Sequence, residues 1–299
     1  MRRRRPELVD GMPRTRGIRQ LTLLAALAIA GGLLTACSPA SGDDGSPPEG
    51  LAVSIKQGRL DVVNRRLVVR FENSGDDALT VTRFDVRTPT FAEQLERTEP
   101  VELGPHDALD VRLDLPASNC DAEPGPVFVT VEYPTDDGSG TAELVADDPF
   151  DVVAYVSTAD CLAESVSDVA AIVMPEHLRS TGAGAERRAF IDVAIQPAAP
   201  GDDASMHVER VWGTTLLNAE DGTDWPLDLD VEAGAEPFVV SLPVRPARCD
   251  AHGIADDKRG TILPFEIETG DGRAGRLDVP AGDSLKNELY GYYTERCGL

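Results

Sequence analysis

The chain has 299 residues, enough for two ordinary domains, and it carries 52 acidic against 28 basic side chains. Beyond Cys37 the imbalance grows to 50 acids against 21 bases, and so negative a body repels phosphate backbones, which excludes nucleic acid as an expected partner. Aromatic residues make up 5% of the chain, beside 27 glycines and 22 prolines, a composition more typical of turn-rich β domains than of a helical bundle.

Residues 1–36 have the layout of a secretory signal peptide. Two basic segments, "MRRRR" and "PRTRGIRQ", come before the apolar run "LTLLAALAIAGGLLTA" from Leu21 to Ala36. This run is about 16 residues long, shorter than the ~20 residues that a membrane-spanning helix prefers. We therefore expect a cleaved signal, with an uncleaved signal anchor as the alternative.

The end of that run, Leu34-Thr35-Ala36-Cys37, resembles the lipobox of bacterial lipoproteins. The resemblance covers a few residues, and it implies lipid transfer to Cys37, cleavage before it, and a lipid anchor at the extracytoplasmic face of the cell membrane. The Arg-rich, Lys-poor style of the chain is similar to that of actinobacterial envelope lipoproteins. Residues 37–50, "CSPASGDDGSPPEG", lack apolar side chains able to pack and indicate a flexible tether behind the lipidated cysteine.

An internal repeat follows the tether, because several segments recur in the same order. The matched pairs are "RRLVVRFENSGDDA" (65–78) with "RRAFIDVAIQPAAPGDDA" (187–204), "VELG" (101–104) with "VEAG" (231–234), "NCDAE" (119–123) with "RCDAH" (248–252), and "TADC" (158–161) with "TERC" (294–297). Each match alone is weak, but the unchanged order favours a duplicated domain. We expect the first copy at 51–165 and the second at 166–299.

Apolar alternation within each copy predicts strands. "LDVRLDLP" and "VFVTVEY" place apolar side chains at every second position, which is typical of half-buried strands. About seven such strands per copy predict an all-β chain of two tandem antiparallel β-sandwiches. "VVRFENSGDDALTVTRF" resembles the B–C hairpin region of bacterial immunoglobulin-like domains, a likeness that implies a fold and no function.

Three other segments carry expectations about local structure. Leu162–Asp168 is interpreted as a short connection, helical or not, and Val169–Met174 as a strand that opens the second copy. In "YGYYTERC", Tyr290 and Tyr292 share a face at period two, so we expect strand packing, with an exposed tyrosine patch as the alternative. Trp212 and Trp225 are expected in the core, although Trp225 follows a turn and could lie at a contact surface.

Of the five cysteines, one is expected to be lipidated and four to form disulfides. Lipidation accounts for Cys37, and the remaining four, Cys120, Cys161, Cys249 and Cys297, allow three pairings. The repeat selects Cys120–Cys161 and Cys249–Cys297, since each copy carries one cysteine at each of the same two places. Such bonds persist outside the cytoplasm. Zinc is the rival interpretation, but no C-x-x-C occurs.

The stretch "RPARCDAHGIADDKRGT", residues 245–261, holds the weak candidate for a binding loop. The second copy is longer here than the first, and loops on a rigid sandwich are common binding sites. The polar side chains concerned are Asp250, His252, Asp256, Asp257 and Lys258. Their spacing does not follow the calcium loop pattern and one histidine is thin support for zinc, so a solvated, locally paired loop is favoured over a partner contact or a metal site.

No catalytic motif is found: there is no G-x-S-x-G, H-E-x-x-H, S-x-x-K or phosphate-binding glycine-rich loop. We therefore expect no enzyme, no catalytic residues and no cofactor. The function predicted is a non-enzymatic binding or accessory module of the cell envelope, anchored through the lipid on Cys37, with an envelope protein or polymer as partner. The alternative is a metal-binding lipoprotein that uses the loop at 250–257.

Overall fold

A computed structural model of the chain describes residues 45–200, 204–250, 253–254 and 259–299. These residues belong to one compact unit. The signal peptide at 1–36 and the tether as far as residue 44 lie outside the described residues.

The first half of the described chain is a sandwich of short antiparallel strands. They are β1 (Leu51–Lys56), β2 (Arg66–Asn73), β3 (Leu79–Val81), β4 (Arg83–Arg87), β5 (Leu95–Arg97), β6 (Val101–Leu103), β7 (Ala108–Asp114), β8 (Phe128–Thr135) and β9 (Gly138–Val145), with a short helix α1 (Arg59–Val63). One sheet has the order β1-β2-β7 and the other the order β5-β4-β8-β9, while β3 pairs with β6.

A long helix, α2 (Val152–Val169), joins this sandwich to the next. It begins where the side chain of Asp148 accepts hydrogen bonds from the backbone N–H groups of Val152 and Val153, at 2.8 and 3.1 Å. A carboxylate in this place satisfies N–H groups that have no partner inside the helix.

The second half repeats the arrangement. Its elements are β10 (Ala170–Val173), β11 (Arg179–Thr181), a 3₁₀ turn (Gly184–Glu186), β12 (Arg188–Pro197), β13 (Ser205–Val211), β14 (Leu217–Ala219), β15 (Trp225–Glu232), β16 (Phe238–Pro246), β17 (Ile262–Thr269), β18 (Ala274–Pro280) and helix α3 (Asp283–Cys297). One sheet has the order β10-β12-β16-β14, with β11 added to β12, and the other the order β15-β13-β17-β18.

Both halves have the strand order of an immunoglobulin-like sandwich. In the first half, strands A, B and E of such a sandwich are β1, β2 and β7, and strands C′, C, F and G are β5, β4, β8 and β9. In the second half, strands A, B and E are β10, β12 and β16, and strands C′, C, F and G are β15, β13, β17 and β18. The predicted all-β class with two antiparallel sandwiches is thus confirmed. Each sandwich is followed by a helix that carries a cysteine, Cys161 on α2 and Cys297 on α3.

The apolar side chains form two core clusters, one in each sandwich. Helix α2 takes part in both. Val152, Val153 and Val156 from its first turns pack in the first cluster, whereas Leu162 and Val166 pack in the second. The boundary expected at residues 165 and 166 therefore falls inside a helix whose two ends contact different cores.

Two local expectations need correction. Helix α2 starts at Val152, ten residues before the expected connection at Leu162, and the strand that opens the second sandwich begins at Ala170. The C-terminal tyrosines lie on a helix, α3, and not on a strand. The strand predicted from the two-residue spacing of Tyr290 and Tyr292 is wrong. The buried residues of this segment follow helical spacing: Leu285, Leu289, Tyr292 and Tyr293.

Candidate functional site

The four cysteines of the described chain form two disulfides, Cys120–Cys161 and Cys249–Cys297. The pairing selected by the repeat is therefore confirmed. The first bond closes a loop of 41 residues and the second one of 48, and each ties the loop between strands E and F to the helix that follows strand G. Cys37, the expected lipid attachment site, lies outside the described residues.

The candidate binding loop is described only in part. The carboxylate of Asp250 accepts a hydrogen bond from the backbone N–H of Gly253 at 2.9 Å and forms an ion pair with Arg248 at 3.0 Å. Its charge is thus engaged locally. His252, Asp256, Asp257 and Lys258 lie outside the described residues. Within the described ranges, no group of three or more His, Cys, Asp or Glu side chains is arranged to hold a metal ion.

The two tryptophans are placed differently. Trp225 is 4% exposed, and its indole N–H donates to the Pro243 carbonyl at 2.7 Å. Trp212 is 41% exposed, pairs with Glu266 through its indole N–H at 2.7 Å, and carries the Arg210 guanidinium 4.9 Å from its ring centroid. Trp225 is therefore a core residue, and Trp212 is the one at the surface.

Arg273, in the hairpin between β17 and β18, joins the two sandwiches. Its guanidinium donates to the carbonyl of Cys161 at 3.0 Å and to that of Cys120 at 3.1 Å. Its neighbour Asp271 accepts a hydrogen bond from Ser165 on α2 at 2.7 Å. Hydrogen bonds from Thr269 and Ser165 hold the pKa of Asp271 below its usual range. We call this set of contacts around the first disulfide the arginine clamp.

A groove lies beside the arginine clamp, between α2 and β18. The helix contributes Tyr155, Thr158, Ala159 and Leu162, and the other wall is formed by Arg259, Gly275, Arg276 and Asp278, around a volume of about 390 Å³. Tyr155 is 59% exposed. The position of a Gly275 Cβ would be 3.6 Å from Leu162, so helix and strand are in close contact at this end.

The charges of this groove, which we call the α2–β18 groove, are unusual for so acidic a chain. Asp278 accepts a hydrogen bond from Arg276 Nε at 2.7 Å and also one from the guanidinium of Arg259. One carboxylate thus faces two guanidinium groups. Arg276 is 52% exposed, so its guanidinium presents N–H donors to a ligand, and Arg259 adds a second positive charge beside Asp278.

Sequence reasoning did not single out this groove. Arg276 and Asp278 alternate with Leu277 and Val279, which pack against the core, so the alternation placed them on the outer face of a strand. What it could not give is the position of α2 beside that strand, because the helix itself was not predicted at Tyr155. Arg259 lies two residues after the candidate loop at 250–257, and the structure brings it into the groove.

Comparisons with known proteins give no family. No protein-family model matches the sequence, and no curated protein matches it. Among solved structures, a red sea bream transglutaminase is 12% identical, with a TM-score of 0.23 over 79% of this chain and 32% of that one. The YadV chaperone is 12% identical, with a TM-score of 0.20 over 73% of this chain and 94% of that one. CBD12 from CALX1.2 is 12% identical, with a TM-score of 0.20 over 69% and 73%.

This chain thus spans about a third of the length of the transglutaminase. Scores so low carry no argument about activity or partners, and the fold assignment rests on the strand order of the chain itself.

Proposed function

We propose that the chain is a lipid-anchored lipoprotein at the extracytoplasmic face of a bacterial cell membrane, where it acts as a non-enzymatic binding or accessory module of the envelope. The observation that carries the proposal is the cysteine pairing. Because the four other cysteines are bonded to one another, Cys37 has no disulfide partner within the chain. A cysteine at the end of a lipobox-like segment, left over in this way, is the one that lipid transfer would use.

Two further properties support the proposal, the disulfides and the charge of the body. Two disulfides suit an oxidising compartment. Separately, no helix in the described ranges is long and apolar enough to cross a membrane. Two or more acyl chains hold a protein firmly, at about 0.8 kcal/mol per buried CH₂ group. The body, with 50 acids against 21 bases after Cys37, would be repelled by anionic headgroups, which leaves its surfaces open to partners.

Lipid attachment can be tested in an actinobacterial host by metabolic labelling with an alkyne fatty acid. We expect the full-length protein to take up the label, Cys37→Ala to lose it, and Ser38→Ala, a matched change one residue away, to keep it. Persistent label on Cys37→Ala, or no label on the wild type, would overturn the anchoring part of the proposal.

The binding part is tested by cross-linking in the native envelope. We expect a discrete, saturable cross-linked species that excess unlabelled protein competes away. Cross-links spread evenly over unrelated envelope components, with no competition, would show that the module has no specific partner. This test is independent of which surface is used, so it can succeed even if the partner does not bind the α2–β18 groove.

A further inference from the structure

We propose that the α2–β18 groove takes an extended acidic peptide segment of a partner protein, added as a short strand to the outer edge of β18. The inference rests on the proposed function, because it names the class of partner that the binding module recognises. It follows from the hydrogen-bond pattern of β18, from the charges beside it and from the dimensions of the groove.

The backbone of β18 alternates between groups used by the sheet and groups directed to its edge. The antiparallel pairing of β17 with β18 begins with Ile262 opposite Pro280 and ends with Glu268 opposite Ala274. Beyond the two ends of this ladder, Thr269 N–H donates to the Arg273 carbonyl and Ala281 N–H to the Thr261 carbonyl, at 2.8 and 3.0 Å. Hydrogen-bonded pairs alternate in such a ladder, so the odd-numbered residues of β18 bond to β17.

The even-numbered residues of β18 consequently direct their N–H and C=O groups away from β17. Arg276 and Asp278 are the even residues that line the groove. Pro264 of β17 stands opposite Asp278 of β18. A proline fits there because this pair is not hydrogen-bonded, so β18 needs no N–H donor from that position. The edge of β18 therefore offers two donors and two acceptors in the spacing that an added strand would match.

Charge complementarity selects an acidic segment. A residue placed opposite Arg276 on an added strand would have its Cβ about 5 Å from that of Arg276, on the same face. Arg276 contacts Asp278 through Nε alone within the described part of the chain, and its side chain is 52% exposed, so its terminal N–H groups are available to a carboxylate. A basic side chain at this position would meet two guanidinium groups instead.

The dimensions suit about three residues. From Gly275 to Asp278 the strand advances roughly 10 Å, and from Tyr155 to Leu162 the helix advances roughly 10 Å as well. Leu162 and Ala159 give an apolar wall, and the exposed ring of Tyr155 gives an aromatic surface. A free anion would use the arginines but neither the alternating backbone groups nor these side chains, which is why we infer a peptide.

The test uses the full-length protein in detergent micelles and fluorescein-labelled pentapeptides. We expect Thr-Val-Glu-Val-Thr to bind at least tenfold more tightly than Thr-Val-Gln-Val-Thr, as measured by fluorescence anisotropy. Arg276→Glu should lower the affinity for the Glu peptide at least tenfold. Arg83→Glu is the matched control, since Arg83 is an arginine of similar exposure, 44%, that pairs with acids, Glu96 and Glu132, but lies on the first sandwich.

N-methylated versions of the Glu peptide separate strand addition from simple ion pairing on the wild-type protein. Methylating the N–H groups that would face β18 should abolish binding, whereas methylating the alternate set should not. Equal loss for both sets, equal affinity of the Glu and Gln peptides, or an unaffected Arg276→Glu variant would each overturn the inference. So would acetate or a polyglucuronate that competes as strongly as the peptide, because the groove would then be a plain anion site.

Discussion

Glu288, on the outer side of α3, holds the segment before β11 through both carboxylate oxygens. Leu178 N–H donates to one oxygen at 2.6 Å, and His177 Nδ1 lies 2.8 Å from the other. The contact with Glu288 raises the pKa of His177, while the Leu178 N–H, followed by His177, lowers the pKa of Glu288. A surface carboxylate thus couples a loop to a helix.

The pH dependence of this contact follows from the directions of the two pKa shifts, upward for His177 and downward for Glu288. The raised pKa of His177 gives stability that is complete below its ordinary value of 6.5 and is lost as the pH rises through the folded value. The lowered pKa of Glu288 gives stability that is complete above 4.5 and is lost as the pH falls through the folded value. We therefore expect Glu288→Gln to move the NMR titration midpoint of His177 down towards 6.5, with His207 unchanged as the control. An unmoved His177 midpoint would contradict the pairing.

The surroundings of two glycines predict opposite changes in stability when each is replaced by alanine. A Cβ at Gly213 would lie 2.0 Å from the Thr223 carbonyl oxygen, which is backbone, whereas one at Gly291 in α3 would meet nothing within 4 Å. Gly213→Ala should lower the free energy of unfolding by about 2 kcal/mol or more, because backbone must move. Gly291→Ala should raise it by up to ~1 kcal/mol through helix propensity. Urea denaturation of both variants checks the pair, and equal effects would refute the contact at Gly213.

At the scale of elements, α3 is the clearest case of a helix that closes a core. Leu285, Leu289, Tyr292 and Tyr293 are all fully buried, and the Tyr292 hydroxyl donates to the Val244 carbonyl at 2.7 Å. Burial raises the pKa of Tyr292. The helix ends at Cys297 and is followed by Gly298, whose φ of 66° is the left-handed conformation common just after a helix.

The packing of α3 predicts a cavity effect. Leu289→Ala should destabilise the protein by about 2–5 kcal/mol, because the side chain is deleted from a closed core. Asn287→Ala, two residues away on the exposed side, should change the stability by less than about 0.5 kcal/mol. Thermal unfolding of both variants measures the difference. A Leu289→Ala variant as stable as Asn287→Ala would mean that α3 is not part of the core.

These elements show what the sequence could predict and what it could not. The alternation in "VFVTVEY" predicted a strand, and β8 buries Val129, Val131 and Tyr133 accordingly. A strand with one solvated face shows an apolar residue at every second position, so the sequence predicts it well. Tyr290 and Tyr292 matched the same period within a four-residue window, too short to distinguish a strand from a helix. The α2–β18 groove depends on contacts between residues over 100 positions apart, which no local pattern contains.

For the whole molecule, the arginine clamp and α2 together couple the two sandwiches. Arg273 contacts the carbonyls of both cysteines of the first disulfide, and α2 packs in both cores. Hydrogen bonds from a charged donor contribute about 1.5–3 kcal/mol each. The relative placement of the two halves is thus held by a helix, a disulfide and a guanidinium.

Removal of the clamp should loosen this junction without unfolding either core. We expect Arg273→Gln to speed hydrogen exchange at residues 117–121 and in the hairpin at 269–274, as measured by mass spectrometry, while β2 and β12 stay protected. Arg276→Gln, in the same hairpin but outside the clamp, is the matched control. Identical exchange in Arg273→Gln and the wild type would show that α2 and the first disulfide couple the halves without the clamp.

The two disulfides also determine how the chain responds to mechanical force. A load applied between its ends cannot extend the 41 residues between Cys120 and Cys161 or the 48 between Cys249 and Cys297. At about 3.4 Å per residue these loops withhold roughly 140 and 160 Å of contour length. The withheld segments contain strands β8, β9, β17 and β18. Even a sandwich whose first strands are pulled away therefore keeps its F–G hairpin tied to the adjoining helix, a short-tethered state from which refolding requires little search.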